Sequence, residues 1–241
     1  MANFTFGNET LYPNATYGIS IDQSEIYQTP EKDYEFVEIP GMSGSLLFDN
    51  NRFKNITIPV NCFIRSDFPT KFRSLTNYLL SVNGYQKLTL PQDSGHFRMG
   101  AFRKATKSET GSFNKSGKFT LEFECKPQRY LDSGDTWYFP SSNTTINNQT
   151  RFTSKPLIRF YGNGTVRIGS YQITVAGRGA NTYIQIDCET MTCTNGSTNL
   201  SSYVTLSNGY PELPPGQTTV TYTTDSTSQR PFWIKYRWWE L

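Results

Sequence analysis

Apolar residues recur at every second position along much of this chain, and one stretch takes a helical spacing instead. Tyr17, Ile19 and Ile21 alternate with polar neighbours, and Val37 and Ile39 continue the pattern. Ile56, Ile58, Val60, Cys62 and Ile64 form a longer run, and Phe119, Leu121 and Phe123 form the clearest one. A period of two puts successive apolar side chains on one face of an extended backbone, so these segments are expected to be half-buried strands. Pro59, inside one of them, has no N–H to give to a ladder and points to an edge position or a bulge. Pro40-Gly41, Ser43-Gly44 and Asp49-Asn50-Asn51 carry turn chemistry, and Gly41 or Gly44 is expected to need a positive φ.

The exception is residues 67–82, where Phe72, Leu75, Leu79 and Val82 fall at helical spacing. Asp67 is placed to cap that helix, Pro69 suits its first turn and Gly84 supplies a stop. One apolar stripe means one covered face, so the helix is expected to lie on a sheet. Beyond it, residues 104–118 carry Lys104, Lys107, Lys115 and Lys118, a set that suggests a solvated hairpin loop over a phosphate site, because no aromatics interleave with the lysines.

Residues 127–155 lose periodicity and gain Pro, Gly, Ser and Asn, which places a domain division near residue 140. Residues 140–241 then contain short strands separated by Gly162-Asn163-Gly164, Gly169-Ser170 and Asn195-Gly196, the spacing of a β-sandwich. Residues 1–139 hold 15 basic and 15 acidic side chains, and residues 140–241 hold 8 and 5. The final residues, 229–241, contain Trp233, Trp238 and Trp239 and are expected to supply core packing, with a return onto the first domain as one possibility.

Composition narrows the function classes. With 23 Lys+Arg against 20 Asp+Glu, the net charge of +3 is too even for a dedicated nucleic-acid binder, so no sequence-specific contact to nucleic acid is expected. No apolar run approaches the ~18 residues of a membrane span. The start, MANFTFGNET, has neither a basic nor an apolar segment, so no signal peptide and no membrane association are expected. Ten Asn-x-Ser/Thr triplets occur where chance predicts about four. Without a secretion signal they are a by-product of Asn- and Thr-rich turns. For the same reason Cys62, Cys125, Cys188 and Cys193 are expected to be reduced thiols.

Little catalytic chemistry is on offer. The single histidine, His96, lies in a turn-like stretch and is expected to be a solvated or lumen-facing loop residue rather than a catalytic one. Phosphate-cradling, dinucleotide-binding and zinc-protease motifs are absent, and Gly41-Met42-Ser43-Gly44 has the wrong spacing for a nucleophile elbow. Asp187 and Glu189 stand two residues apart with no evident partner across a cleft, so a glycoside hydrolase ranks last. No catalytic, cofactor or metal site is expected.

The order of these segments resembles the distal tail protein (Dit) family of siphovirus-type phages with long non-contractile tails. The matching stretches are IPGMSGSLLFDNNRFKNITIPVNCFI, the helix at 67–82, GKFTLEFECKP, PLIRFYGNGTVRIGSYQITV, YIQIDCETMTC with Ile186-Asp187, the YPELPPG segment and the terminal RWWEL. The resemblance implies a mainly β molecule, with a ring-forming first domain (1–139) carrying one helix and a galectin-like β-sandwich (140–241). It implies a homohexamer joining the tail tube, through its major tube protein or the tail terminus, to a tail-associated lysin or hub and a receptor-binding protein or fibre. It also implies a place at the virion's tail tip, assembly in the host cytoplasm, and DNA passing through the ring. Some relatives carry an inserted carbohydrate-binding module, for which this chain has no room. The competing reading is a carbohydrate-binding sandwich contacting host-surface glycans, suggested by the Trp and Tyr content.

Overall fold

The alternating segments fold as strands. The computed structural model describes residues 3–22, 28–110 and 115–241, without the side chains of 107–110. Two units divide the chain, one running through Arg129 and one spanning Tyr130–Glu240.

The first unit contains β1 (Phe4–Phe6), β2 (Glu9–Tyr12), β3 (Ile19–Ile21), β4 (Lys32–Glu38), β5 (Ser45–Phe53), β6 (Ile56–Ile64), helix α1 (Phe68–Ser81), β7 (Gln86–Thr89), β8 (His96–Thr110) and β9 (Gly117–Leu131). Its main sheet runs β2-β1-β7-β8-β9-β6-β3. The end strands β2 and β3 approach each other, so the sheet nearly closes into a barrel. Every second residue of β6, from Ile56 to Ile64, is buried against Phe119, Leu121, Phe123 and Cys125 of β9. Pro59 stands where β6 has β9 on one side, while β3 reaches only Cys62–Ile64 on the other, so its missing N–H breaks no ladder.

Leu75 and Leu79 are fully buried in this core, and Phe72 and Val82 pack half-buried against it. Each fully buried leucine contributes about 1.5–3 kcal/mol relative to exposure. The stripe extends one turn further than the sequence reading took it, to Phe68, the first helical residue, which is 4% exposed, stacks on Phe72 and fits against Gly117. A Cβ at Gly117 would lie 2.7 Å from the Phe68 ring, so glycine is required there by close approach. Asp67 does hold the cap position, but it adopts φ 57° and its side chain makes no capping hydrogen bond.

Three features differ from the sequence reading. Asp49-Asn50-Asn51 is not a turn but lies inside β5, where Asn51 takes φ 54° and the pairing with β4 shifts register near Lys32 and Tyr34. A left-handed residue in a strand makes a bulge when the partner strand continues past it. Lys104 belongs to β8 rather than a loop, and its ammonium lies 3.3 Å from Glu122 on β9. The expected loop centre at 111–114 lies outside the described residues. The unit boundary falls at Arg129/Tyr130, earlier than residue 140, because Tyr138 already bridges to Ile234.

The second unit contains β10 (Thr144–Asn148), β11 (Leu157–Tyr161), β12 (Gly164–Ile168), β13 (Tyr171–Val175), β14 (Tyr183–Asp187), β15 (Thr192–Asn195), β16 (Thr198–Asn199), β17 (Val204–Ser207), β18 (Gly216–Thr224), β19 (Phe232–Lys235) and β20 (Trp239–Glu240). Two five-stranded sheets, β10-β18-β12-β13-β17 and β16-β15-β14-β11-β19, enclose one core. Val166, Ile173 and Val220 from one sheet meet Ile158, Phe160, Ile186 and Ile234 from the other, which makes the unit a sandwich. Trp238 is 9% exposed in that core. Trp233 packs edge-on against Phe139, and Trp239 stacks on Phe152 at 4.3 Å.

Candidate assembly surface

Among the described residues, the strands β4 and β5 pair only with each other and form a separate ribbon. Phe36 stands opposite Leu47, Val37 opposite Leu46 and Glu35 opposite Phe48. Side chains alternate between the two faces of a ribbon, so one face carries Tyr34, Phe36 and Leu47, and the other carries Val37, Leu46 and Phe48. All six are exposed, with Phe36 at 66% and Phe48 at 50%. A solvated hairpin normally keeps one polar face, and an isolated two-stranded hairpin is marginal in water. Apolar residues on both faces therefore form a surface that needs cover on both sides.

The base of the ribbon is different. Arg52 reaches Asp33 at 2.6 Å, Lys54 reaches Glu31 at 3.4 Å and Lys32 reaches Asp49 at 3.9 Å. These ion pairs link β4 and the segment before it to β5 and the residue after it at the root of the ribbon. At the tip, Gly41 and Gly44 adopt φ of 85° and 86°, a region that costs a β-branched residue most. The Met42 N–H donates to the Ile39 carbonyl at 3.1 Å and closes the turn. Consecutive apolar residues, Phe36-Val37 and Leu46-Leu47-Phe48, are the sequence signal for a two-sided ribbon. Alternation alone did not expose it.

The other candidate sites are structural. His96 opens β8, with its Nδ1 3.2 Å from Arg129 and 3.7 Å from Asp93. Asp93 is 7% exposed and accepts from the Arg129 guanidinium, so histidine, arginine and carboxylate form a packed cluster rather than a solvated loop. Asp187 accepts two hydrogen bonds from Arg237, at 2.7 and 2.9 Å, and also accepts the Glu189 N–H at 2.9 Å. Burial raises the Asp187 pKa, but the Arg237 hydrogen bonds and charge outweigh it and hold the carboxyl below its ordinary range. A carboxylate committed in this way positions a loop and is a poor proton donor. All four cysteines are free and buried. Burial pushes Cys62 and Cys125 up to about 12, and raises Cys188 and Cys193 as well. Among the described residues, no three metal-ligating side chains converge.

No family model matches the chain, and no curated protein does. Solved structures do. The SPP1 Dit (gp 19.1) protein, described as a paradigm of the hub adsorption apparatus in phages infecting Gram-positive bacteria, superposes with a TM-score of 0.69 at 15% identity over 97% of both chains. A chain of the phage P2 baseplate in its activated conformation with Ca superposes with a TM-score of 0.54 at 11% identity, again over 97% of both chains. Across both units, this chain has the fold of a phage distal tail protein.

Proposed function

We propose that the chain is a structural protein of a phage tail tip, present in the virion as a ring of six copies and assembled in the host cytoplasm. The first unit builds the ring, and the second, a galectin-like sandwich, is carried on it. The ring joins the tail tube to a lysin or hub protein and to the receptor-binding protein or fibre, and DNA crosses its opening. Its role is mechanical rather than enzymatic.

The observation that carries this reading is the β4–β5 ribbon, apolar on both faces and exposed in a single copy. A ring subunit needs unlike, complementary surfaces, because a head-to-tail contact repeated around an axis closes on itself. A projecting ribbon inserted against the next copy is such a contact, and a stable one buries about 1,200–2,000 Å². The two neighbours with this fold come from a hub adsorption apparatus and a baseplate, which supports the same place for this chain.

The test is the mass of the full-length protein in solution, by light scattering, with and without Phe36→Asp and Leu47→Asp together. The parent is expected to be hexameric and the variant monomeric with an unchanged circular dichroism spectrum. A variant that stays hexameric removes the ribbon from the ring contact.

A further inference from the structure

The chain contains four Asn-Gly pairs, Asn83-Gly84, Asn163-Gly164, Asn195-Gly196 and Asn208-Gly209. Asn-Gly is the dipeptide of tight turns, because both residues tolerate positive φ. It is also the dipeptide in which the next backbone nitrogen attacks the asparagine side-chain amide most readily, since glycine has no Cβ to shield that nitrogen. The attack needs a side chain and a peptide that can rotate toward each other, so the fold decides which pair reacts.

Three of the four are held. Asn163 donates from Nδ2 to the Arg178 carbonyl and to Asp225 Oδ2, both at 2.7 Å, and its Oδ1 accepts the Arg178 N–H at 2.7 Å. Its neighbour Gly164 lies in β12 between β13 and β18, where an added Cβ would run into the Thr223 carbonyl. Asn195 ends β15 opposite Thr198 and donates to the Tyr183 carbonyl at 3.0 Å. Asn208 donates to the Ser170 carbonyl at 2.8 Å. Each bond fixes an amide whose carbon would have to turn toward the neighbouring nitrogen.

Asn83 is different. It is exposed and lies in the connection between α1 and β7, outside both the helix and the strand. Among the described residues, its side chain makes no hydrogen bond and the Gly84 N–H has no partner. Gly84 adopts φ 71° with nothing within 4 Å of where a Cβ would stand, so water and base reach its nitrogen. The one hydrogen bond at this peptide favours the reaction. Gln86 Nε2 donates to the Asn83 carbonyl at 2.9 Å, which polarises the peptide and eases loss of the Gly84 proton.

We propose that Asn83 is a site of spontaneous deamidation in the folded protein. The deprotonated Gly84 nitrogen bonds to Asn83 Cγ, and the Cγ–Nδ2 bond breaks. The departing nitrogen takes a proton from water and leaves as ammonia, and a succinimide ring closes. Water then opens the ring at either carbonyl and gives aspartate or isoaspartate. The balance is one amide and one water in, one carboxylate and one ammonia out, with no change of oxidation state. Each event lowers the net charge of +3 by one.

The test is incubation of the full-length protein in mildly alkaline buffer below its melting temperature, beside a parallel sample unfolded in urea. Peptide mapping by mass spectrometry reads each Asn-Gly pair, and labelling by an isoaspartate methyltransferase reads the rearranged product. In the folded protein Asn83 is expected to convert about tenfold faster than any of the other three, the equivalent of one hydrogen bond that must break first. Asn208 is the internal control, because Asn83-Gly84-Tyr85 and Asn208-Gly209-Tyr210 are the same three residues in sequence. In urea the difference between these two is expected to vanish. Asn83→Gln must close a larger, slower-forming ring, so it is expected to lose the early acidic band on isoelectric focusing while melting as the parent does. Three results would overturn the proposal: Asn163, Asn195 or Asn208 converting as fast as Asn83 in the folded protein, Asn83 staying intact while the urea sample converts, or a gap between Asn83 and Asn208 that persists in urea.

Discussion

At the scale of single residues, backbone geometry and ion pairing give the sharpest expectations. Gly41 and Gly44 both sit at positive φ with no atom within 4 Å of where a Cβ would be. Valine at either position would meet strain rather than a clash, at a cost of about 1–3 kcal/mol. A paired Gly41→Val and Gly44→Val protein is expected to melt at a lower temperature, and an unchanged midpoint would refute the requirement. Asp187 carries a pH dependence. Its native pKa is depressed, so its contribution to stability is present above the ordinary carboxylate pKa and is lost as pH falls through the lower native value. Urea unfolding midpoints should therefore fall on acidification below about pH 4. Asp187→Asn should be less stable than the parent at pH 7 and should lose less of its stability on acidification. The buried thiols make a third case. Four free thiols are expected to titrate in denaturant without reductant, and to react slowly in the native protein because burial keeps them protonated. Two or none in denaturant would indicate disulfides.

At the scale of elements, the sequence was most legible where a segment had one buried face. The run from Ile56 to Ile64 and the stripe Leu75–Leu79 each announce their environment through period, because burial selects apolar side chains at fixed spacing. Leu75→Ala should therefore cost about 2–5 kcal/mol of stability in chemical denaturation. An effect below 1 kcal/mol would remove α1 from the core. The end of a helix is harder to read. Phe68 stands one turn before Phe72 and continues the same stripe to the first helical position, while Asp67 turns the chain with its backbone instead of capping with its side chain. The bulge at Asn51 was hidden for a related reason, since Asp-Asn-Asn is turn chemistry and only the continuation of β4 keeps it inside a strand. The ribbon's two apolar faces depend on cross-strand register. A single strand's sequence does not contain it.

At the scale of the molecule, the division into two units and the sandwich character of the second were readable from composition and spacing, while the boundary was not. Tyr138 pairs with β19 through residues that look like linker, because their partner lies far along the chain. The same holds for Trp233, Trp238 and Trp239. Their packing role was readable from residue type, and the positions of their partners Phe139 and Phe152 were not. Assembly is the property no single-chain feature states outright. It is inferred from a ribbon whose apolar faces have no cover in one copy, and from a fold shared with proteins of a hub and a baseplate. The measurement that tests this most directly is the native mass of the full-length protein, read together with a negative-stain image of the same sample. The account predicts six chains in a ring with a central opening, lost when Phe36 and Leu47 become aspartate. A folded monomer at high concentration, with the ribbon still exposed, would contradict it.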